Sequence, residues 1–315
     1  MSSIGHSSSQ RKALGIIAGH IGGMIAVFFW GLSFVSTKVI MDDGGLTPTE
    51  AYIYRFVLAY LLILFISHKR LWCNNFKDEM LMMLCGICSG SLYFITENTA
   101  LQLTLTSNVS LLTSTSPLIT ILLVALMYRN QRPGRGIILG SFIAFAGVVC
   151  IIFNSLNSET DFEINPVGDL LALASALCWS IYSLVLKRVN VTYDALFITR
   201  KTFYYGLLTA APFLLIEPHI SNPLEVLSQP LVTGNLVFLA LGASIISYYL
   251  WAQTIDKVGA IKANNYMYFQ PVVTLIASAL ILHEPITAIG IIGFFLILFG
   301  LWFGDYLQSK ALKTN

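Results

Sequence analysis

The sequence predicts an all-α integral membrane protein, with ten transmembrane helices built as two inverted five-helix repeats. Three observations predict it. Apolar residues make up 56% of the 315 residues and charged residues 11%, and the mean hydropathy is +0.75. A soluble domain needs about 25% charged residues to cover its surface. The apolar residues also cluster in runs of about 20, enough for a helix to cross a bilayer core of about 30 Å. Finally, short patterns in the first half recur, in order, in the second.

The apolar runs place spans at 18–40, 49–67, 79–101, 106–128, 134–154, 166–188, 194–216, 231–255, 260–282 and 287–307. All connections are short, so no soluble domain is inserted. The run after the polar tail MSSIGHSSSQRK is too long for a signal-peptide core and lacks an A-x-A-like site, so it reads as an uncleaved first helix. Lys and Arg set the orientation. One set of loops and ends holds Arg11, Lys12, Lys69, Arg70, Lys77, Arg129, Arg132, Arg135, Lys187, Arg188, Lys257, Lys262, Lys310 and Lys313. The opposite loops, MDDGGLTPTE, NSLNSETDFEINP, EPHISNPLEVLSQ and HEP, hold none. A missed span would scramble that alternation. Both termini are expected in the cytoplasm.

Composition excludes several classes. The net charge of +2 is spread over loops, not gathered into a patch for nucleic acid. The five cysteines, an odd number, lie mostly in apolar runs and do not form a disulfide framework. Cys85 and Cys88 form a CxxC inside a span with no second pair and no nearby His, so no metal or cofactor is expected. No Gly-rich phosphate loop is present, which removes ATP as the direct driver.

The repeat shows in four places. FFWGLSFVSTK lies on LCWSIYSLVLK, bringing Trp30 and Lys38 onto Trp179 and Lys187 at a shift of 149. YIYRF lies on FITRK. TSPLIT lies on FQPVVT, with Pro117 on Pro271 at a shift of 154, and Gly140 and Gly147 lie on Gly293 and Gly300 at a shift of 153. The halves are then 18–154 and 166–307, joined by an external linker, 155–165, with cytoplasmic tails at 1–17 and 308–315. Five spans per half is odd, so the second half enters from the opposite side. Inverted repeats suit alternating access, because swapping the conformations of the halves turns an outward opening into an inward one.

Polar residues inside spans turn toward a bundle interior or a wet cavity. The fourth span carries Asn108, Ser110 and Ser114 before the kinking Pro117, and the ninth carries Asn264 and Tyr268 before Pro271. These are read as two vestibules that meet near mid-membrane, with helix-to-helix glue as the plainer alternative. Trp30 and Ser33, mirrored by Trp179 and Tyr182, suit a ligand with an apolar body and polar ends. Asn98 and Glu97 stand in the third span, and Tyr249 maps onto Glu97 at a shift of 152. All twelve are candidate substrate-binding residues. Glu97 has three open roles: pairing with Arg55 or Lys38, binding a substrate amine, or carrying a proton during transport. Arg55 and Arg200 lie about two turns inside the membrane and need partners, either internal acceptors or a substrate carboxylate. Lys38 can snorkel.

These residues look like those of the drug/metabolite transporter superfamily, EamA-type branch. The resemblance rests on WGLSFVSTK, Arg55 with Phe56, SPLIT, QPVVT and LHEPITAIGIIGFFLILFG, and spans residues 20–305. It implies two inverted EamA-like halves around a central cavity. It also implies movement of amino acids, sugars or other small metabolites, often outward across the bacterial inner membrane. One departure stands out: the acidic residue after the ninth span is Glu284, whereas the matching place after the fourth holds Asn130.

The expectation is a secondary transporter, an exporter of a small organic metabolite such as an amino acid. It would work by alternating access, with proton coupling through Glu97 as one of that residue's three open roles. It would be a multi-pass inner-membrane protein, a monomer before a dimer, with a small-molecule solute and the bilayer as its partners. A non-transporting receptor or scaffold and a membrane-embedded enzyme are the alternatives. The enzyme lacks a catalytic constellation, since HEP has no second His.

Overall fold

The computed structural model describes residues 2–68, 70–103, 109, 112–127, 134–155, 166–217, 219–281 and 288–314. Among the described residues there is no strand. The helices are α1 (Ser2–Asp42), α2 (Pro48–Ile66), α3 (Phe76–Leu103), α4 (Ser116–Met127), α5 (Arg135–Ser155) and α6 (Pro166–Val189). They continue as α7 (Ala195–Ala210), the short α8 (Pro223–Ser228), α9 (Pro230–Val258), α10 and α11 (Ala288–Thr314). α10 starts at Ala260–Asn265, tightens into a 3-10 turn at Tyr266–Phe269 and resumes over Gln270–Ile281.

Local chemistry sets the helix ends. Thr47 Oγ1 accepts the Glu50 amide at 3.3 Å, while the Glu50 carboxylate accepts the Thr47 amide at 3.0 Å. This capping box starts α2, and Pro48 fits the first turn, where its missing N–H costs nothing. Asn75 and Asp194 cap α3 and α7, accepting from the amides of Asp78 at 2.8 Å and Phe197 at 3.0 Å.

Among the described residues, five helices are long and apolar enough to cross a membrane: Leu14–Asp42, Pro48–Ile66, Phe76–Leu103, Leu170–Val189 and Pro230–Val258. α5 and α11 carry shorter apolar stretches, Arg135–Gly147 and Ile291–Gly304.

The helical irregularities repeat with the sequence. α3 and α9 each contain a π-helical stretch, Ile87–Ser91 and Leu239–Ile246, whose starts are 152 residues apart. α4 begins at Ser116 after a turn, and α10 resumes at Gln270 after its 3-10 turn, 154 residues later. Pro117 and Pro271 each take the second position of their segment, so they restart a helix rather than bend a continuous one.

The α5–α11 contact shows how the halves relate. A Cβ built on Gly140 would lie 2.5 Å from the Gly300 carbonyl oxygen and 2.5 Å from Gly304 Cα, and one on Gly147 would lie 2.6 Å from the Gly293 oxygen. The register falls on one helix as it rises on the other, so the two run antiparallel. Under the 153-residue shift, the contact Gly140–Gly300 becomes Gly293–Gly147, which is the other observed contact. Matching helices that pack antiparallel place the two halves in inverted orientation.

Candidate functional site

Where the halves meet, α1, α3, α6, α9 and α10 enclose a small cavity of about 20 Å³, room for a water or two. α1 contributes Trp30, Ser33 and Phe34, and α3 contributes Tyr93, Phe94 and Glu97. Trp179 of α6, Tyr248 of α9, and Met267 and Gln270 of α10 complete the wall. Trp30 and Trp179, repeat mates in the sequence, meet edge to face with ring centroids 4.9 Å apart. Two equivalent residues in contact mark the pseudo-two-fold axis, so the cavity lies on it. Tyr93, Tyr248 and Trp251 surround the tryptophan pair at 5.1–6.1 Å. Trp30 Nε1 donates to the Ala243 carbonyl at 2.8 Å, in the π-helical stretch of α9. There the i→i+5 pattern brings main chain close to α1.

One carboxylate reaches this aromatic chamber. Glu97 is 6% exposed and its Oε2 has no hydrogen-bond partner among the described residues. The Tyr93 hydroxyl, one turn earlier on α3, interacts with the same carboxylate. Arg55 is close but occupied. Its Nε donates to Ser244 Oγ at 2.6 Å and its Nη2 to the Ala243 carbonyl at 3.0 Å. Its guanidinium lies against the rings of Phe56 at 5.1 Å and Phe94 at 4.8 Å.

A chamber on the axis between two repeats, with helices broken at matched points beside it, is an arrangement that recurs in membrane transporters. The model of the EamA-like transporter family matches this chain twice, over residues 17–153 and 166–303. The chain belongs to the EamA-like transporter family. It is a membrane-embedded, multi-pass transporter rather than an enzyme, and its partners are a small-molecule solute and membrane lipid.

An "Uncharacterized transporter" of Archaeoglobus fulgidus is 27% identical over 280 residues, covering 86% of this chain and 92% of its own. A protein of Escherichia coli K12 named "Probable amino-acid metabolite efflux pump" is 24% identical over 302 residues, covering 93% and 97%. A solved crystal structure superimposes with a TM-score of 0.71 at 19% identity, covering 93% of this chain and 98% of its own. At that identity it speaks to the fold alone.

Within this EamA-like frame the structure sorts the candidate residues. Trp30, Ser33, Glu97 and Trp179 line the chamber. Tyr182 packs behind Trp179, with centroids 5.2 Å apart. Asn98 Nδ2 donates to the Pro48 carbonyl at 3.0 Å and joins α3 to the start of α2. Ser114 is buried in the turn before α4. Asn264 Oδ1 accepts from Ser183 Oγ at 3.4 Å, linking α10 to α6. Asn108 and Ser110 lie outside the described residues.

Two expectations, for Tyr249 and Tyr268, are corrected, and two cations with open readings, Lys38 and Arg200, take internal partners. Tyr249 does not line the chamber; its neighbour Tyr248 does, and Tyr249 faces a groove with Tyr193 and Asp256. Its mapping onto Glu97 fails because the π-helical stretch before Tyr249 is eight residues long and the one before Glu97 five, so the two halves do not turn alike on the way to the mapped positions. Tyr268 packs with Ala144, Val272 and Ile297, away from the chamber, while Met267 and Gln270 face it. The 3-10 turn there has three residues per turn, so the i, i+4, i+7 stripe fails. Lys38 pairs with Asp42 at 2.9 Å rather than with Glu97. Arg200 donates to the carbonyls of Ser67 and Arg70 and does not reach the chamber.

The residues missed by sequence reading are Phe34, Tyr93, Phe94, Tyr248, Met267 and Gln270. Tyr93 carried a readable signal, since it stands one turn before Glu97 on the same face.

Beyond the chamber, buried carboxylates tie loops to helices at both ends of the bundle. Glu50 accepts from the Ser221 amide at 2.5 Å and the Ser221 hydroxyl at 3.0 Å. At the other end Glu79 pairs with Lys201, accepts from Tyr205, and accepts the Cys73 amide at 2.9 Å. Tyr205 is therefore the inward member of the Tyr204/Tyr205 pair. In the loop before α3, the Cys73 thiol is pushed up to about 11 by burial and by the adjacent Glu79.

Proposed function

We propose that this chain is a secondary exporter of a small organic metabolite in a bacterial inner membrane. It works by alternating access around the Trp30–Trp179 chamber. Ten crossings complete the bundle, in halves at 18–154 and 166–307, with both termini cytoplasmic. The observation that carries the reading is the chamber's position: repeat mates touch on the pseudo-two-fold axis, where rocking of inverted halves exposes a site first to one side and then to the other. The chamber's small size and the loop ties at both ends fit an occluded state. The direction and the solute class follow the amino-acid metabolite efflux named for the Escherichia coli relative.

Glu97 is the coupling site in this scheme. A carboxylate inside a span costs about 2.5–3.5 kcal/mol at mid-depth on insertion scales and less toward the interface, and this one, six residues before the end of α3, has an unpartnered oxygen beside the chamber it lines. A proton can occupy that oxygen for part of the cycle.

The test is transport by the full-length protein in lipid vesicles carrying a pH gradient, screened with labelled amino acids and related metabolites. Flux above that of empty vesicles is expected, with accumulation that follows the gradient. Glu97→Gln should still exchange solute but no longer concentrate it. Failure to move any member of the set would reject the carrier in favour of a receptor or scaffold.

A further inference from the structure

We infer that the chamber selects an organic amine that carries a positive charge and no carboxylate. This rests on the carrier reading above and narrows its solute, among amino-acid metabolites, to amines that lack the carboxylate, so amino acids themselves are not carried. The wall presents the face or edge of Trp30, Trp179, Tyr93 and Tyr248, and one charged group, Glu97. Aromatic faces attract a desolvated cation through the ring quadrupole. A single acid beside them, with an unpartnered oxygen and 6% exposure, offers the counter-charge. Among the described residues no ion pair joins Glu97 to any cation.

The same geometry argues against a zwitterion. A substrate carboxylate needs a positive partner in the wall, and Arg55 is the nearest one. Arg55 does not line the chamber: Phe94 stands in the wall and holds the guanidinium against its ring. Two of the five Arg55 N–H donors go to Ser244 Oγ and the Ala243 carbonyl, which fixes the guanidinium behind that ring. A carboxylate placed beside Glu97 would meet like charge in the wall, with the nearest cation among the described residues on the far side of Phe94.

At about 20 Å³ the chamber is contracted. Trp30, Tyr93 and Glu97 belong to the first half, and Trp179 and Tyr248 to the second. Separation of the halves therefore opens the cage along the Trp30–Trp179 contact, and the solute occupies the space between them.

Three probes with one phenylethyl body separate the charge states: 2-phenylethylamine, phenylalanine and 2-phenylethanol. Binding to the full chain in lipid nanodiscs is read from quenching of tryptophan fluorescence. The amine should bind at least tenfold more tightly than either analogue. Glu97→Gln should lower amine affinity at least tenfold and leave the alcohol unchanged, with thermal melting as the check on folding. If that variant does not fold, Trp179→Phe serves instead: amine affinity should fall several-fold and alcohol affinity hold. Equal affinity for amine and phenylalanine, or for amine and alcohol, overturns the inference, as does an amine affinity indifferent to both substitutions. If none of the probes binds while vesicles carry another solute, the inference fails and the carrier stands. If nothing binds and nothing is carried, both fail.

Discussion

The α5–α11 contact offers a quantitative test of the inverted architecture. Gly140→Ala puts a methyl group 2.5 Å from a backbone oxygen and 2.5 Å from a backbone carbon of α11. Ordinary Cβ contacts start at 3.4 Å, so the helices must separate by about 0.9 Å. Neither contacting atom belongs to a flexible side chain that could swing aside. Overpacking of this kind costs about 1–3 kcal/mol, and alanine returns up to about 1 kcal/mol through helix propensity. The net expectation is a loss of about 1–2 kcal/mol, seen as a melting point lower by a few degrees in nanodiscs. Pseudo-symmetry requires a similar loss for Gly147→Ala, whose methyl would meet the Gly293 oxygen at 2.6 Å. Gly234 of α9 is the control, because nothing lies within 4 Å of its added Cβ; Gly234→Ala should melt with the wild type or slightly above it. If Gly140→Ala and Gly147→Ala both melt with Gly234→Ala, the close antiparallel contact does not exist and the geometric case for inversion goes with it.

Two further outcomes follow from the loops. With the other four cysteines replaced, alkylation of Cys73 should accelerate about tenfold per pH unit through pH 10. A thiol raised from 9.0 to about 11 holds about 100-fold less reactive thiolate at pH 8, whereas levelling near pH 9 would show an unperturbed thiol. In a cysteine-free background, cysteines at 42 and 225 should react with an impermeant thiol reagent in intact cells and one at 190 should not; the reverse pattern would invert the assigned topology.

The large-scale plan was legible because it is written in hydropathy and in shifts. The 149-residue offset of Trp30 and Trp179 could be read before their rings were seen in contact, and the glycine offset of 153 could be read as well, though that α5 and α11 pack on each other came from the structure. Side-chain facing was less legible. The offset that set Tyr249 against Glu97 assumes that the two halves turn alike, and the longer π-helical stretch of α9 hands the chamber to Tyr248 instead. The stripe through Tyr268 assumes 3.6 residues per turn, and a 3-10 turn hands the chamber to Met267 and Gln270 instead. Those irregularities have no sharp sequence signature, because their hydrogen-bond pattern is settled by the packing of the neighbouring helices.

What the symmetry leaves unmatched is where the chemistry lies. Arg55 and Arg200 occupy matching places in the sequence, yet one is locked into the π-helical stretch of α9 and the other holds the loop between α2 and α3. Glu97 has no acidic counterpart in the second half, since Tyr249 stands at its mapped position and faces elsewhere. A scaffold that only needed to rock could keep both halves alike. Two carboxylates across a space this small would share a proton, whereas a single acid can hold a full negative charge toward a solute. One acid against an aromatic cage, with the nearest cation held behind the Phe94 ring, gives the symmetric frame a single sign of charge to read.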